Sequence, residues 1–214
     1  MESASLMAEY IKDPAAIYAR SFAIIREEAD LRGIPASAHA IAIRVIHACG
    51  MVEVAHDLVI TEDFAAAAQA ALDNARPILV DAEMVRHGII ARQLPPGVEV
   101  ICTLNDPRAK ELGLSQQITR TAASVELWHN AIKSAVVVIG NAPTALFRLL
   151  ELIDKGYPKP ACIVGMPVGF VGAAESKDAL IANPRGIPFA TIKGRKGGSA
   201  MASSVINALM SDMP

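Results

Sequence analysis

Residues 135–156, AVVVIGNAPTALFRLLELIDKG, contain the pattern that decides the fold class. The run from Ala135 to Ile139 is uncharged and rich in β-branched residues, which predicts a buried strand. Gly140 then opens a loop, and Pro143 is typical of the first position of a helix, here one that ends near Gly156. A buried strand that leads through a short loop into a helix is the unit of a parallel sheet covered on both faces.

The same alternation of apolar runs and helical patterns recurs along the chain. Further strands are predicted at Pro77 to Asp81, Val98 to Thr103, Cys162 to Val164 and Phe189 to Ile192. Helices are predicted from Pro14 to Asp30 behind the cap Asp13, from Ser37 towards Gly50, from Asp63 to Ala75, and in the last segment after Ser199. No linker, charge block or repeat interrupts this order. We expect a single α/β domain over residues 1–214, a three-layer α/β/α sandwich with a mainly parallel sheet.

The composition argues against nucleic-acid binding and membrane insertion. The chain has 214 residues, a formal net charge of -2 and only 4% aromatic residues, so it lacks the basic, aromatic surface that nucleic acids require. Mean hydropathy is +0.35, yet the longest uncharged stretches, Ser134 to Phe147 and Pro160 to Ala174, are shorter than the ~18 residues that span a bilayer. The apolar excess is therefore expected in a buried core.

The cysteines and the N-terminal sequence favour a cytoplasmic protein. Cys49, Cys102 and Cys162 are odd in number, widely separated and set in apolar surroundings, which is typical of buried, reduced thiols. The first residues show no basic segment followed by an apolar one, so no secretory signal is predicted.

Three loops rich in glycine and other small residues follow predicted strands. Ligands of open parallel sheets bind at the carboxyl ends of the strands, and the free N–H groups of a helix start favour anions. None of the loops has the spacing of a P-loop or of a dinucleotide-binding fingerprint. The pattern predicts an anionic ligand, with candidate contacts at Gly140, Asn141, Thr144, Gly169, Gly172, Ser176, Lys177, Arg195 and Lys196.

Most of the other reactive side chains lack a catalytic pattern. Ser176 and Lys177 are adjacent on a predicted helix and do not face each other, so a Ser-Lys nucleophile is not expected. The five histidines show no zinc-binding spacing, and no metal site is predicted. His47 lies late in an apolar helix, one turn after Arg44, where an imidazole can exchange a proton near neutrality. A core histidine bonded to a backbone carbonyl remains the alternative for His47.

Five blocks of the chain resemble the precorrin-8X methylmutase family. They are VIHACG at 45–50, PILVDAEMV at 77–85, ICTL at 101–104, GNAPTALF at 140–147 and GMPVGFVGAAESK at 165–177. The resemblance extends from about Tyr18 to about Met201. It implies an isomerase of corrin-ring (cobalamin) biosynthesis that moves a methyl group from C-11 to C-12 of precorrin-8X and forms hydrogenobyrinic acid. This [1,5]-sigmatropic shift needs no organic cofactor.

The family's catalytic histidine falls on His47, and its suggested role is to protonate the ring C region of the substrate. The same resemblance makes Ser21 and Arg120 candidate substrate contacts, and Arg44 is included with them. A corrinoid precursor is a wide apolar ring with a fringe of carboxylates. Small residues leave room for such a ring, and scattered cations and helix-start N–H groups bind its carboxylates.

Several questions stay open at this point. The family commonly forms homodimers, so a homodimer is expected. ICTLNDPR at 101–108 favours the cobalt-free substrate over the cobalt-containing one. A tetrapyrrole or corrinoid carrier without catalytic activity is the alternative function, since it would keep the loops and cations without needing His47. An α/β enzyme that uses a nucleotide is disfavoured by the missing fingerprints.

Overall fold

A single sheet of six strands organises the computed structural model, which describes residues 10–210; residues 1–9 and 211–214 of the predicted domain lie outside the described residues. The spatial order of the strands is β1-β6-β5-β4-β2-β3. Their bounds are Leu58–Ile60 (β1), Ile78–Val80 (β2), Val100–Cys102 (β3), Val136–Ile139 (β4), Cys162–Gly165 (β5) and Phe189–Ile192 (β6). Strands β2 to β6 run parallel, and β1 pairs antiparallel with β6. The prediction of a mainly parallel sheet is confirmed.

The edge strand β1 is the one strand that the sequence did not predict. Its three residues, Leu58–Ile60, are too few to show an alternation or a sustained apolar run. Tertiary pairing with β6 defines it, with Leu58 opposite Ile192. This antiparallel pairing brings the chain that leaves α2 to the carboxyl end of β6.

Nine α-helices connect and cover the strands in the described part of the chain. They are Pro14–Glu28 (α1), His39–Cys49 (α2), Phe64–Asp73 (α3), Glu83–Gly88 (α4), Pro107–Gln116 (α5), Arg120–Glu126 (α6), Pro143–Asp154 (α7), Ala173–Ala182 (α8) and Ser199–Leu209 (α9). Local chemistry sets several of their ends. Asp13 accepts a hydrogen bond from the Ala16 N–H at 2.7 Å, and α2 ends where Gly50 adopts a φ of +70°.

The buried side chains form two cores, one on each face of the sheet. Alternate residues of a strand point to opposite faces, so Ile78 and Val80 pack into one core and Leu79 into the other. The first core lies under α1, α2, α3, α4 and α9, and the second lies under α6, α7 and α8. This arrangement confirms the predicted α/β/α sandwich. Within residues 10–210, no helix is long and apolar enough to cross a membrane.

Candidate functional site

His47 lies in the last turn of α2, where its Nδ1 is 2.9 Å from the hydroxyl oxygen of Ser21 on α1. The left-handed Gly50 turns the chain away directly after this helix, so the imidazole stays half-buried. It borders a pocket of about 200 Å³ lined by Ser21, Ile24, Ile25, Glu28, Ile46, His47, Gly50 and Val52. The Ser21 hydroxyl therefore fixes the orientation of the ring while leaving part of the imidazole accessible.

This contact bears on two expectations from the sequence. The predicted substrate contact Ser21 lines the pocket, and its hydroxyl is also bonded to His47. The alternative of a core histidine bonded to a carbonyl does not describe His47. It describes His39 in the first turn of the same helix, whose Nε2 lies 3.1 Å from the Ile34 carbonyl oxygen.

Aromatic rings and a guanidinium surround the His47 imidazole. The ring centroids of Tyr18 and Phe22 lie 5.4 and 4.9 Å from that of His47. The guanidinium carbon of Arg44 lies 5.6 Å from the Tyr18 centroid and 5.9 Å from that of Phe22. Tyr18 and Phe22 are spaced i, i+4 on α1, so both rings lie on the face of the helix that meets His47.

Arg44 is 8% exposed, and no acidic side chain among residues 10–210 forms an ion pair with it. Its guanidinium packs on the two rings and none of its nitrogens is completely buried, so an anion can reach it. Burial, and after it the positive charge of Arg44, lower the pKa of His47 below its usual value of 6.5. His47 is therefore mainly neutral at pH 7 in the free protein, and an anion placed beside Arg44 would raise its pKa.

The loop after β4 already holds an internal anion. The buried carboxylate of Asp81, at the end of β2, accepts hydrogen bonds from the backbone N–H groups of Gly140 (2.9 Å), Asn141 (3.0 Å) and Ala142 (2.7 Å). Burial raises the pKa of this carboxyl, and the three N–H groups act in the opposite direction. The expectation that these N–H groups bind a substrate carboxylate is therefore corrected.

Asp81 is a residue that sequence reasoning missed, although a signal was present. It follows the strand predicted at Pro77 to Asp81, and the carboxyl ends of neighbouring parallel strands meet at one edge of the sheet. The backbone at Gly140 is also closed, since a Cβ there would lie 2.8 Å from the Cβ of Ala202. This glycine serves close packing between the loop and α9.

Thr144 and Arg120 lie in the other helix layer, beside a second pocket. The Thr144 hydroxyl is 2.8 Å from that of Thr119, the residue before Arg120, and Arg120 itself is exposed. The pocket measures about 310 Å³ and is lined by Gln117, Ile118, Thr119, Ala122, Thr144, Phe147, Arg148 and Glu151. Gly172, with a φ of +80°, packs against Phe147. Of these candidates Thr144 alone lines this pocket, which is a different one from that of His47; Arg120 adjoins the lining residue Thr119, and Gly172 lies near the lining residue Phe147.

The loops after β5 and β6 carry the remaining candidates. Arg195 is exposed, and its guanidinium carbon lies 5.4 Å from the Phe170 ring centroid. Lys196 Nζ is 3.2 Å from a carboxylate oxygen of Asp57. Burial raises the pKa of the Cys49 thiol while the charge of Lys196 acts in the opposite direction, which places Lys196 within electrostatic reach of the last turn of α2. Gly169 is partly exposed on the same loops.

Ser176 and Lys177 point inward, which corrects their predicted role as direct contacts. Both are buried; the Ser176 hydroxyl donates to the Ala173 carbonyl at 3.1 Å, and the Lys177 ammonium donates to the Lys196 carbonyl at 2.5 Å. Neither side chain is open to a ligand in this conformation.

Among residues 10–210, no group of three histidine, cysteine or acidic side chains is arranged to hold a metal ion.

The chain that carries this half-exposed imidazole, the buried Arg44 and the small-residue loops is similar to known proteins. A sequence model of the precorrin-8X methylmutases matches residues 16–212. The chain belongs to the precorrin-8X methylmutase family. It is 55% identical over 201 residues to the precorrin-8X methylmutase of Sinorhizobium sp, covering 94% of this chain and 96% of the relative.

One further relative and one solved structure extend the comparison. The chain is 37% identical over 193 residues to the cobalt-precorrin-8 methylmutase of Methanothermobacter thermautotrophicus, covering 89% of each protein. A solved precorrin-8X methylmutase from Thermus thermophilus superposes with a TM-score of 0.82 at 33% identity, covering 92% of this chain and 94% of the other. The chain is accordingly an isomerase of cobalamin biosynthesis.

Proposed function

We propose that this methylmutase moves the C-11 methyl group of precorrin-8X to C-12, forming hydrogenobyrinic acid, with His47 as the proton donor. The observation that carries the proposal is the imidazole itself. Its Nδ1 lies 2.9 Å from the Ser21 hydroxyl oxygen, the rings of Tyr18 and Phe22 pack beside it, and it borders a pocket of about 200 Å³. Nδ1 is engaged by the serine, so Nε2 is the nitrogen that exchanges a proton with the macrocycle.

The proton balance fits a recyclable acid. Protonation of the ring C region draws electron density from the conjugated system and eases migration of the methyl group. Substrate and product are isomers, so a proton given at the start must return to His47 when the conjugated system is restored. A histidine with a pKa near the working pH suits both steps.

Charges around His47 supply the binding and the protonation. A substrate carboxylate can form an ion pair with Arg44, and its negative charge raises the pKa of His47. Arg195 and Lys196 are the cations on the loop after β6 that can bind other carboxylates. Arg120 and Thr144 are proposed for the part of the fringe that reaches the second pocket. Binding spread over these groups orients the ring against the imidazole.

Replacement of Arg44 by methionine is expected to move the pH profile. Burial and the Arg44 charge lower the pKa of His47 in the free protein, so the protonated fraction, and with it kcat/KM, falls as the pH rises through this lowered pKa. Loss of the Arg44 charge raises this pKa and shifts the falling limb to higher pH, while the lost carboxylate partner raises KM about tenfold. Steady-state kinetics at pH 5 to 8 measure both. An unshifted limb would contradict the electrostatic role of Arg44.

The activity is tested by incubating the pure protein with precorrin-8X under anaerobic conditions and following the absorption of the macrocycle. Conversion to hydrogenobyrinic acid supports the enzyme. Tight binding of the pigment without conversion supports the carrier alternative and overturns the proposal. A parallel incubation with the cobalt-containing precorrin-8 tests the choice of substrate. We propose the cobalt-free one because the relative with that name is 55% identical and the cobalt-precorrin-8 relative 37%.

We also propose that the protein works as a homodimer. Large apolar side chains are exposed at the start of α1, the helix that carries Ser21, and in the residues before it: Ile17 and Tyr18 on the helix, and Tyr10 and Ile11 ahead of it. An Ile17→Asp variant is expected to sediment as a monomer in analytical ultracentrifugation at concentrations where the wild type is a dimer. A wild type that is monomeric at tens of micromolar would contradict the proposal.

Cytoplasmic residence and the absence of nucleic-acid binding remain predictions from the sequence.

A further inference from the structure

The loops after β5 and β6 are joined backbone to backbone. The N–H of Gly198 donates to the Met166 carbonyl at 2.8 Å, and the N–H of Gly169 donates to the Arg195 carbonyl at 3.3 Å. Gly197 has a φ of +150°, and a Cβ there would come within 2.8 Å of the Pro167 carbonyl oxygen. The loop after β6, residues 193–198, therefore has no room for a side chain where it crosses the loop after β5.

The third connection is made by a side chain. Lys177, in the first half of α8, is fully buried, and its ammonium donates to the Lys196 carbonyl at 2.5 Å. This carbonyl lies between the adjacent cations Arg195 and Lys196 and the two glycines that follow them. Burial lowers the pKa of Lys177 to about 8, and the charges of Asp178 and Asp57 act in the opposite direction. The ammonium thus remains charged at pH 7.

Arg195 and Lys196, the cations next to the carbonyl that Lys177 binds, face outward. Arg195 is exposed over the Phe170 ring, and the Lys196 ammonium, 3.2 Å from Asp57, is partly exposed. The Lys177 ammonium is enclosed and bonded to backbone, so a substrate carboxylate cannot reach it without displacing the loop. Lys177 therefore contacts residue 196 from its buried side, whereas a substrate would approach residues 195 and 196 from their exposed side.

We propose that Lys177 is a positioning residue, whose ammonium holds the Lys196 carbonyl and thereby sets the direction in which Arg195 and Lys196 face the substrate. The proposal rests on the proposed function for its substrate, but not for its effect on the loop. Lys177 does not touch the macrocycle. It orders the segment that does, and a loop ordered before binding spends less of the binding energy on its own immobilisation.

A buried ammonium carries a desolvation cost that an apolar side chain of the same size does not. A substitution that keeps the size and removes the ammonium therefore distinguishes a positioning role from a packing role. Methionine has a similar shape and no desolvation cost, and this gain offsets the loss of the bond to the Lys196 carbonyl, so Lys177→Met is expected to keep a melting temperature close to that of the wild type. It cannot donate to the Lys196 carbonyl, so the loop loses its side-chain connection. A residue needed for packing alone would show the same stability and an unaltered loop.

The first test follows loop order in the free protein by limited digestion with trypsin. The loop offers cleavage sites at Lys193, Arg195 and Lys196, and mass spectrometry identifies the fragments. Lys177→Met is expected to increase cleavage within residues 193–196 at least tenfold at an unchanged melting temperature. The matched control is Lys159→Met, which removes another lysine bond to a backbone carbonyl, 2.6 Å from Nζ to the Arg185 oxygen. An unchanged cleavage rate in Lys177→Met would overturn the proposal.

The second test uses turnover of precorrin-8X. Lys177→Met is expected to raise KM about tenfold and to change kcat less than twofold. In a background that carries Arg195→Ala and Lys196→Ala, the same substitution is expected to change KM less than twofold, because the cations it positions are gone. A further tenfold loss there would show that Lys177 contacts the substrate itself and would overturn the positioning role. If the wild type does not convert precorrin-8X, the proposed function fails, and the trypsin test still decides the role of Lys177.

Discussion

Replacing His47 by alanine is expected to lower the turnover of precorrin-8X by about 10²–10⁴-fold, the range that a positioned general acid contributes. The substitution removes the one imidazole that lies in the pocket between α1 and α2 and leaves the Ser21 hydroxyl without its partner. Because the side chain is half-exposed, the fold should tolerate its loss. Single-turnover absorption measurements under anaerobic conditions give the rate, and circular dichroism checks the fold.

The matched control for this variant is His39→Ala in the same helix. His39 is also partly buried, but its Nε2 lies 3.1 Å from a backbone carbonyl oxygen rather than beside the pocket. This variant is expected to lose some stability and to keep wild-type turnover. A His47→Ala protein that works within tenfold of the wild type would remove His47 from the proposed role of proton donor. It would leave the family assignment untouched.

Asp81→Ala is expected to lower the free energy of unfolding by about 3–5 kcal/mol, the cost of leaving buried hydrogen-bonding groups without their charged partner. Three backbone N–H groups, of Gly140, Asn141 and Ala142, donate to this one carboxylate. Without it, the loop between β4 and α7 loses its connection to β2. For a chain of this length the melting temperature should fall by roughly 6–20 °C. Thermal and urea unfolding at fixed protein concentration measure the loss.

Two comparisons separate this effect from the general removal of an aspartate. Asp106 caps α5 at the surface and accepts one backbone N–H bond, from Arg108 at 3.0 Å, together with two bonds from the exposed guanidinium of the same arginine. Asp106→Ala should therefore cost only about 1 kcal/mol. Added formate should raise the melting temperature of Asp81→Ala more than that of the wild type, because it can occupy the vacated anion position. A loss no larger than that of Asp106→Ala would contradict the role assigned to Asp81.

Local sequence predicted most of the fold because its strands are buried on both faces. Such strands appear as continuous apolar runs, and the runs at 136–139, 162–165 and 189–192 were all located. The helix starting at Pro143 and the end of α2 at Gly50 followed from the conformational preferences of proline and glycine. β1 was missed because three residues show no periodicity, and only its pairing with β6 defines it.

The candidate site was predicted less completely, because most of its chemistry depends on contacts between distant segments. The block around His47 was sufficient to select the histidine, but nothing local links residue 47 to the Ser21 hydroxyl. The glycine-rich loop at Gly140 looked like an open anion site because its N–H groups are free in a local view. The carboxylate that occupies it comes from Asp81, on another strand. Lys177 was predicted to face the ligand, and its burial against the Lys196 carbonyl depends on how two loops pack.

The sequence by itself determined the α/β class, most of the order of strands and helices, and the small-residue loops, because burial patterns and the preferences of glycine and proline act over a few residues. His47 was selected by the resemblance to the family. Only the tertiary structure decided which charges are free. It paired Asp81 with the loop after β4, turned Lys177 inward, and left Arg44 beside His47 with no acidic partner among residues 10–210. Whether a charge binds a ligand or holds the fold depends on the groups within a few ångströms of it, and those groups come from remote parts of the chain.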